Sequence, residues 1–291
     1  MHQYVNCIAH DSSEGNLLIG KDRTALFDCG MAFCAKETIQ KVKKALGDRL
    51  LDYIFITHTH YDHVGAFPFF KKEWPQVRLL TSEVGASALL KNTPRKVIRE
   101  FSIVASQKYN AASDIIYNDD MFQADDIVKE KDVIFLGGIS VEVIETPGHT
   151  RDSLSYFVPE LELLIVNETP GVLLPDGSIY PCYLASYSDT INSIKKCLGI
   201  QYRLLSLSHR GLVREKEANG FFEKALETNI ACRNFVVNMI QNEISEDEML
   251  LLFSQKYGSA LLSRFQPKEA FVANAKAMIA CILRESKFEQ L

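Results

Sequence analysis

No apolar stretch in the 291 residues approaches the ~20 that a membrane-spanning helix needs, so no membrane association is expected. No run of lysine and arginine resembles a nucleic-acid stripe, and the net charge is −5; no nucleic-acid partner is expected. The cysteines Cys7, Cys29, Cys34, Cys182, Cys197, Cys232 and Cys281 are scattered and include no Cys-x-x-Cys pair. An odd, dispersed set fits reduced thiols in a cytoplasmic protein better than a disulfide framework. The opening residues Met1 to Cys7 lack both a basic start and an apolar core, so no signal peptide is expected. There is no Gly-x-Ser-x-Gly elbow, and nothing marks a serine or cysteine nucleophile. Internal repeats and low-complexity segments are also missing.

What remains is ordinary in bulk. Apolar residues make up 47% and charged residues 24%, the balance of a soluble globular chain. The length allows one large two-layer domain with an accessory part, or two modest domains. Histidine is scarce, with seven in the whole chain, yet three fall within six positions in His58-Thr59-His60-Tyr61-Asp62-His63. Neutral imidazole and carboxylate are the ligands that divalent metals such as Zn(II) and Fe(II) prefer. The preceding Leu51–Thr57 has the β-branched and aromatic content of a buried strand. The cluster therefore sits where a strand stops and a helix begins, with Asp62 near the helix start, where its charge suits the dipole.

Three more junctions repeat the pattern. His149 follows the alternating strand Ile139–Ile144 and the turn residues Pro147 and Gly148, which present it at the strand's tip. Glu168 follows Leu163–Asn167, and His209 follows Leu204–Ser208. One histidine at a strand end is usually structural; four junctions with metal-type side chains suggest a sheet rim lined with ligands.

This order of motifs, over roughly residues 15 to 213, resembles the metallo-β-lactamase fold superfamily. The resemblance implies an α/β (α+β) fold, a four-layer αββα sandwich with two divalent metal ions at one edge. By position, His58, His60 and His149 would hold the first ion, and Asp62, His63 and His209 the second. Glu168 stands where the family usually has a bridging aspartate, and Asn167 where a glycine commonly precedes it. Glutamate is one methylene longer, so it bridges in a shifted geometry, binds one ion, or sits just outside. Ligation is favoured, because a carboxylate beside two cations is drawn to them. Asp28, after the strands within Leu17–Phe27, matches the family's aspartate that supports a metal-binding histidine through a hydrogen bond; a simple turn aspartate is the alternative.

Elsewhere, helical patterns cover residues 36–46, 64–74, 83–91 and 94–109. The acidic stretch Asn110–Lys131, with Asp114, Asp119, Asp120, Asp125 and Asp126, reads as a solvated insertion. Gly171–Tyr187 reads as a long loop in which no single tyrosine stands out. After Gly211 the pattern is helical over 215–243, 245–257 and 267–285, with Ser245 as an N-cap. This divides the chain into a catalytic domain, 1–213, and a helical C-terminal region, 214–291, which covers the cleft mouth in the hydroxyacylglutathione hydrolase-like branch that it resembles.

The implied activity is a metal-dependent hydrolase that uses a metal-bound hydroxide to cleave a small-molecule ester, thioester or lactone, with Asp62 also orienting that hydroxide or passing a proton. Zinc is the first expectation for the ions, with iron or manganese as alternatives. Phosphodiester cleavage and a metal-stabilised regulatory or binding protein are the alternative functions. Flavodiiron-type chemistry is disfavoured, since that branch usually has glutamate where this chain has His60. The partner is a small-molecule substrate whose binding residues the sequence does not assign; a homodimer is an allowed assembly.

Overall fold

A computed structural model describes residues 3–7, 15–111, 115–116, 118–259 and 261–288. Met1, His2 and Asp114, on which expectations above fall, lie outside them. The chain builds two six-stranded sheets. The first runs in sequence order: β1 (Gln3–Asn6), β2 (Asn16–Ile19), β3 (Thr24–Phe27), β4 (Tyr53–Phe55), β5 (Arg78–Thr81) and β6 (Asp126–Ile127). The second begins with the antiparallel run β7 (Val133–Phe135), β8 (Ser140–Glu145), β9 (Leu154–Val158) and β10 (Leu163–Val166). After a small hairpin, β11 (Val172–Leu173) and β12 (Ile179–Tyr180), it is completed by β13 (Leu204–Leu207), parallel to β10, and β14 (Gly211–Leu212).

The layers follow from side-chain alternation along the strands. Leu18, Phe27, Phe55 and Leu80 face Val141, Val143, Leu163 and Ile165 between the sheets. Leu17, Ile19, Leu26 and Ile54 point the other way. There they meet Ile39 and Val42 of helix α1 (Ala35–Leu46), and Phe67 and Phe70 below the short α2 (Tyr61–Val64), on α3 (Phe67–Glu73). Helices α4 (Glu83–Leu89) and α5 (Asn92–Lys108) follow on this side. Leu164, Val166, Leu205 and Leu207 face outward from the second sheet onto α6 (Tyr187–Leu198) and, beyond α7 (Glu215–Ala218), onto α8 (Phe221–Gln241). The result is the expected αββα sandwich. Its C-terminal helices α9 (Glu246–Tyr257), α10 (Leu262–Phe265) and α11 (Lys268–Phe288) complete the chain; α9 and α11 share a core with α8 through Val236, Met249, Phe253 and Met278. Among the described residues no helix is long and apolar enough to cross a membrane.

Several expected elements are redrawn. The helix expected over 64–74 is two helices: Ala66 N donates to Gly30 O at 2.9 Å instead of continuing up the turn, and Pro68, lacking an N–H, suits the first turn of α3. The helix expected over 215–243 breaks at Gly220, which takes φ +72°, a left-handed conformation open to glycine. The acidic stretch after Asn110 is more than a solvated insertion. Phe122 is fully buried, the Asp125 carboxylate accepts from Leu79 N at 2.9 Å, and β6 closes the first sheet's edge. Within the loop expected over 171–187 lies the β11–β12 hairpin, and α6 begins at its end behind the N-cap Ser186, whose hydroxyl accepts from Asp189 N.

Tyr4 Oη of β1 lies 2.8 Å from Ser206 Oγ of β13, and Tyr156, fully buried, also joins the sheets by donating its hydroxyl to Ile56 O at 2.7 Å. Removing it leaves a buried carbonyl without that donor. Tyr156→Phe is therefore expected to lower the unfolding free energy by about 1–3 kcal/mol, read from urea denaturation followed by circular dichroism.

Candidate metal centre

The strand directions decide where the chemistry gathers. β3 and β4 are parallel to each other, and β8, β10 and β13 run alike through their pairings. Their C-terminal ends release Asp28, His58, His149, Glu168 and His209 in turn. The two sheets are stitched at this rim by Leu154 N donating to Thr57 O at 2.7 Å. All seven candidate metal-binding residues and Asp28 meet there. His58, His60 and His149 form one group whose ligand atoms lie within 4.8 Å of one another; Asp62, His63 and His209 form another, and His58, His63 and Glu168 a third between them.

Glu168 occupies the middle. Its Oε1 is 2.7 Å from His63 Nε2 and 2.9 Å from His209 Nε2, and its Oε2 is 3.6 Å from His58 Nδ1. The longer side chain thus reaches the centre from a backbone held by Asn167, whose amide donates to Thr146 Oγ1 and Leu154 O, both at 2.8 Å. Asn167 Oδ1 accepts from Thr169 N at 2.7 Å. Asp62 stands off, its Oδ2 3.8 Å from His209 Nε2 and 3.9 Å from His63 Nε2.

Around these groups, hydrogen bonds orient the rings. Asp28 Oδ2 meets His63 Nδ1 at 2.9 Å while Asp28 also accepts from Thr57 N and Thr57 Oγ1. The histidine's other nitrogen is left facing the centre. Asp28 itself takes φ +55° and His209 φ +63°, a region that Asp and His enter more readily than most residues. His149 Nδ1 donates to Cys182 O at 2.8 Å, so its neutral Nε2 presents a lone pair beside His60 Nδ1, 3.1 Å away. Gly148 makes this placement: it has φ +143°, and a Cβ there would lie 2.2 Å from Thr190 Oγ1 of α6.

Two supports were not foreseen. The Asp152 carboxylate, nearly buried, accepts from Thr59 N at 2.8 Å and so fixes the backbone between His58 and His60. The Cys182 carbonyl fixes the His149 ring. The first could have been sought in the polar residues just after His149; the second is a backbone atom in a segment read as irregular, with no side-chain signal.

The donor set suits a cation. Burial holds His58, His60 and His149 below the usual imidazole range, His149 at about 4, with Glu168 opposing the shift in each. Three neutral imidazoles therefore face one another at pH 7. For His63 burial also disfavours charge, yet Glu168, Asp28 and Asp62 together raise it well above its ordinary value. Burial works against the Glu168 anion, but His63 and His58 hold it well below the usual carboxylate range. The buried Glu168 carboxylate, with the partly exposed Asp62 beside it, thus makes a spot that demands positive charge. His58 Nε2 and Glu168 Oε2 are buried without a hydrogen bond, and the short His63–Glu168 contact lacks hydrogen-bond geometry. Such orphaned donor atoms cost free energy unless something binds them, and imidazole nitrogen with carboxylate oxygen is a set that zinc, iron and manganese accept.

A cavity of about 430 Å³ opens onto this rim. His60, Asp62, His149, Glu168 and His209 form its floor, and side chains from α5 and from Leu262 to Asn274 form its walls.

A family model described as the metallo-beta-lactamase superfamily matches residues 16–209. A hydroxyacylglutathione hydrolase of Rhodopseudomonas palustris is 32% identical over 123 residues, 42% of this chain and 35% of that protein. A nitric oxide reductase of Moorella thermoacetica is 30% identical over 155 residues, 53% of this chain and 33% of that protein. The chain thus spans about a third of the length of these two relatives. A metallo-beta-lactamase family protein of Thermus thermophilus superposes with TM-score 0.60 at 16% identity, over 99% of this chain and 93% of that one, a likeness of fold.

Two substitutions test the geometry. Asp28→Asn keeps a residue that tolerates the left-handed backbone but removes the charge behind His63. It is expected to weaken metal binding about 10–100-fold, measured by chelator competition. Glu168→Asp withdraws the carboxylate by one methylene from a fixed backbone; elemental analysis of this variant is expected to return less metal per chain than the parent.

Proposed function

We infer the activity from one premise: the chain belongs to the metallo-β-lactamase superfamily, whose members are mostly hydrolytic metalloenzymes. On that premise it is a metal-dependent hydrolase cleaving a small-molecule ester, thioester or lactone. On this reading His58, His60 and His149 would hold one divalent ion and Asp62, His63 and His209 a second, with Glu168 lying between the two sets. Zinc is the first candidate, with iron or manganese as alternatives. The observation that carries this reading is the buried Glu168 carboxylate set among imidazoles of both groups.

When bound, such ions supply Lewis acidity and lower the pKa of water toward ~7. The remaining work falls to the chain. Asp62 lines the cavity and keeps a partly exposed carboxylate near His63 and His209, a position from which it can orient the attacking water and accept its proton. Asp28 holds the His63 ring, the Cys182 carbonyl holds His149, and Asp152 holds the Thr59 amide. Each fixes a donor before substrate arrives, which is the condition for electrostatic stabilisation without reorganisation. The Cys182 thiol also lines the cavity, but burial, with Glu168 and Asp62 adding, pushes it well above the ordinary thiol range. It stays protonated and is no nucleophile.

The hydroxyacylglutathione hydrolase match supports thioester-type chemistry for the shared region. The nitric oxide reductase match covers a third of that protein, and His60 in this chain stands where flavodiiron relatives usually carry glutamate.

Elemental analysis is expected to return two metal equivalents per chain, together with turnover on a panel of aryl esters, thioesters and lactones. His60→Ala and His63→Ala should each lower kcat/KM by more than about 100-fold, beyond what loss of an outer partner costs, with circular dichroism confirming the fold. Unchanged rates, or faster cleavage of an aryl phosphodiester than of any ester, would overturn this function.

A further inference from the structure

The cavity walls differ sharply from its floor. Above the metal-site residues, α4 and α5 contribute Ala88, Pro94, Val97, Ile98 and Phe101, and the hairpin contributes Val172. Opposite them stand Leu262, Ala270 and Ala273 from α10 and α11. Among the described lining residues none is lysine or arginine, and the acids belong to the floor. The other polar lining groups are neutral: Thr59, Tyr61, Thr93, Tyr180, and the carboxamides Gln266 and Asn274, which are joined by Asn274 Nδ2 donating to Gln266 Oε1 at 3.2 Å. A cation does approach this wall, but it is engaged. Lys108 Nζ donates to Ser263 O at 2.7 Å and to Gln266 O at 2.6 Å, and burial lowers its pKa against the pull of Glu269.

We propose that this cavity takes the apolar acyl chain of an uncharged ester or lactone, and that a glutathione thioester, with its charged tripeptide, is a poor substrate. The inference rests on the hydrolase reading above and narrows its substrate class. A glutathione moiety carries two carboxylates and an ammonium, and taking them out of water without partners is costly. An aliphatic chain loses nothing there, since α5 and α11 offer it hydrocarbon on both sides. The volume of about 430 Å³ falls within the range of small-molecule sites. Ala270, nearly buried on α11, leaves part of this room by being small.

The test is a 4-nitrophenyl ester series from acetate to decanoate, with S-lactoylglutathione alongside. The holoprotein is expected to gain about two- to fourfold in kcat/KM per added methylene up to a chain of intermediate length, and to cleave the glutathione thioester more slowly than the hexanoate ester by at least tenfold. Ala270→Leu fills the wall and should lower the octanoate-to-butyrate ratio of kcat/KM about tenfold. Phe101→Ala enlarges the wall opposite and should move the optimum to longer chains. A flat chain-length profile, or a preference for S-lactoylglutathione, would overturn the inference and leave the hydrolase reading standing. Loss of every activity in the panel would overturn both.

Discussion

A carboxylate buried away from water must be answered by positive charge or by hydrogen bonds, and in this protein that demand is concentrated at Glu168. Its side chain is 3% exposed, and His58, His63 and His209 surround it. The imidazoles are in turn aligned by a ring of outer acceptors: Asp28 behind His63, the Cys182 carbonyl behind His149. Asp28 could not serve if Thr57 did not donate two hydrogen bonds to it. The rim is therefore one electrostatic unit, in which an acid at the centre is balanced by bases and those bases are fixed by acids outside them.

This arrangement explains why so much could be read from the residue order. Strand ends are visible as apolar runs stopping at polar residues, and a sandwich whose strands run alike on one side must collect those ends on one rim. His58, His149, Glu168 and His209 announced themselves that way, while the αββα layering is implied by the family resemblance that their order carries, and the structure has it. The carboxylate at position 168, longer than the aspartate usual there, is accommodated because Asn167 clamps the turn that carries it.

What escaped the sequence has physical reasons. Asp152 acts through a hydrogen bond to a backbone amide 93 positions away, and the Cys182 carbonyl has no side-chain signature. The breaks at Gly65–Ala66 and at Gly220 depend on one or two residues in a periodic run whose apolar face continues on both sides. The stretch around Phe122 looked solvated because its composition is acidic, yet Asp125 and Asp126 are spent on Lys71, Arg78 and the Leu79 amide, which frees Phe122 to be interior.

The rim and the walls come from different parts of the chain. The floor groups are delivered by strand ends and the turns after them, with Asp62 on the short α2 that follows β4, whereas the apolar walls come chiefly from α5 and the last two helices. Lys108 ties these walls together by holding the carbonyls of Ser263 and Gln266. Hydrolytic machinery and chain-length selection are thereby separable inheritances. Drift in the tail can retune which molecules are admitted while the histidines at the strand ends stay as they are, and a change at Lys108 would loosen that selection without touching a single strand.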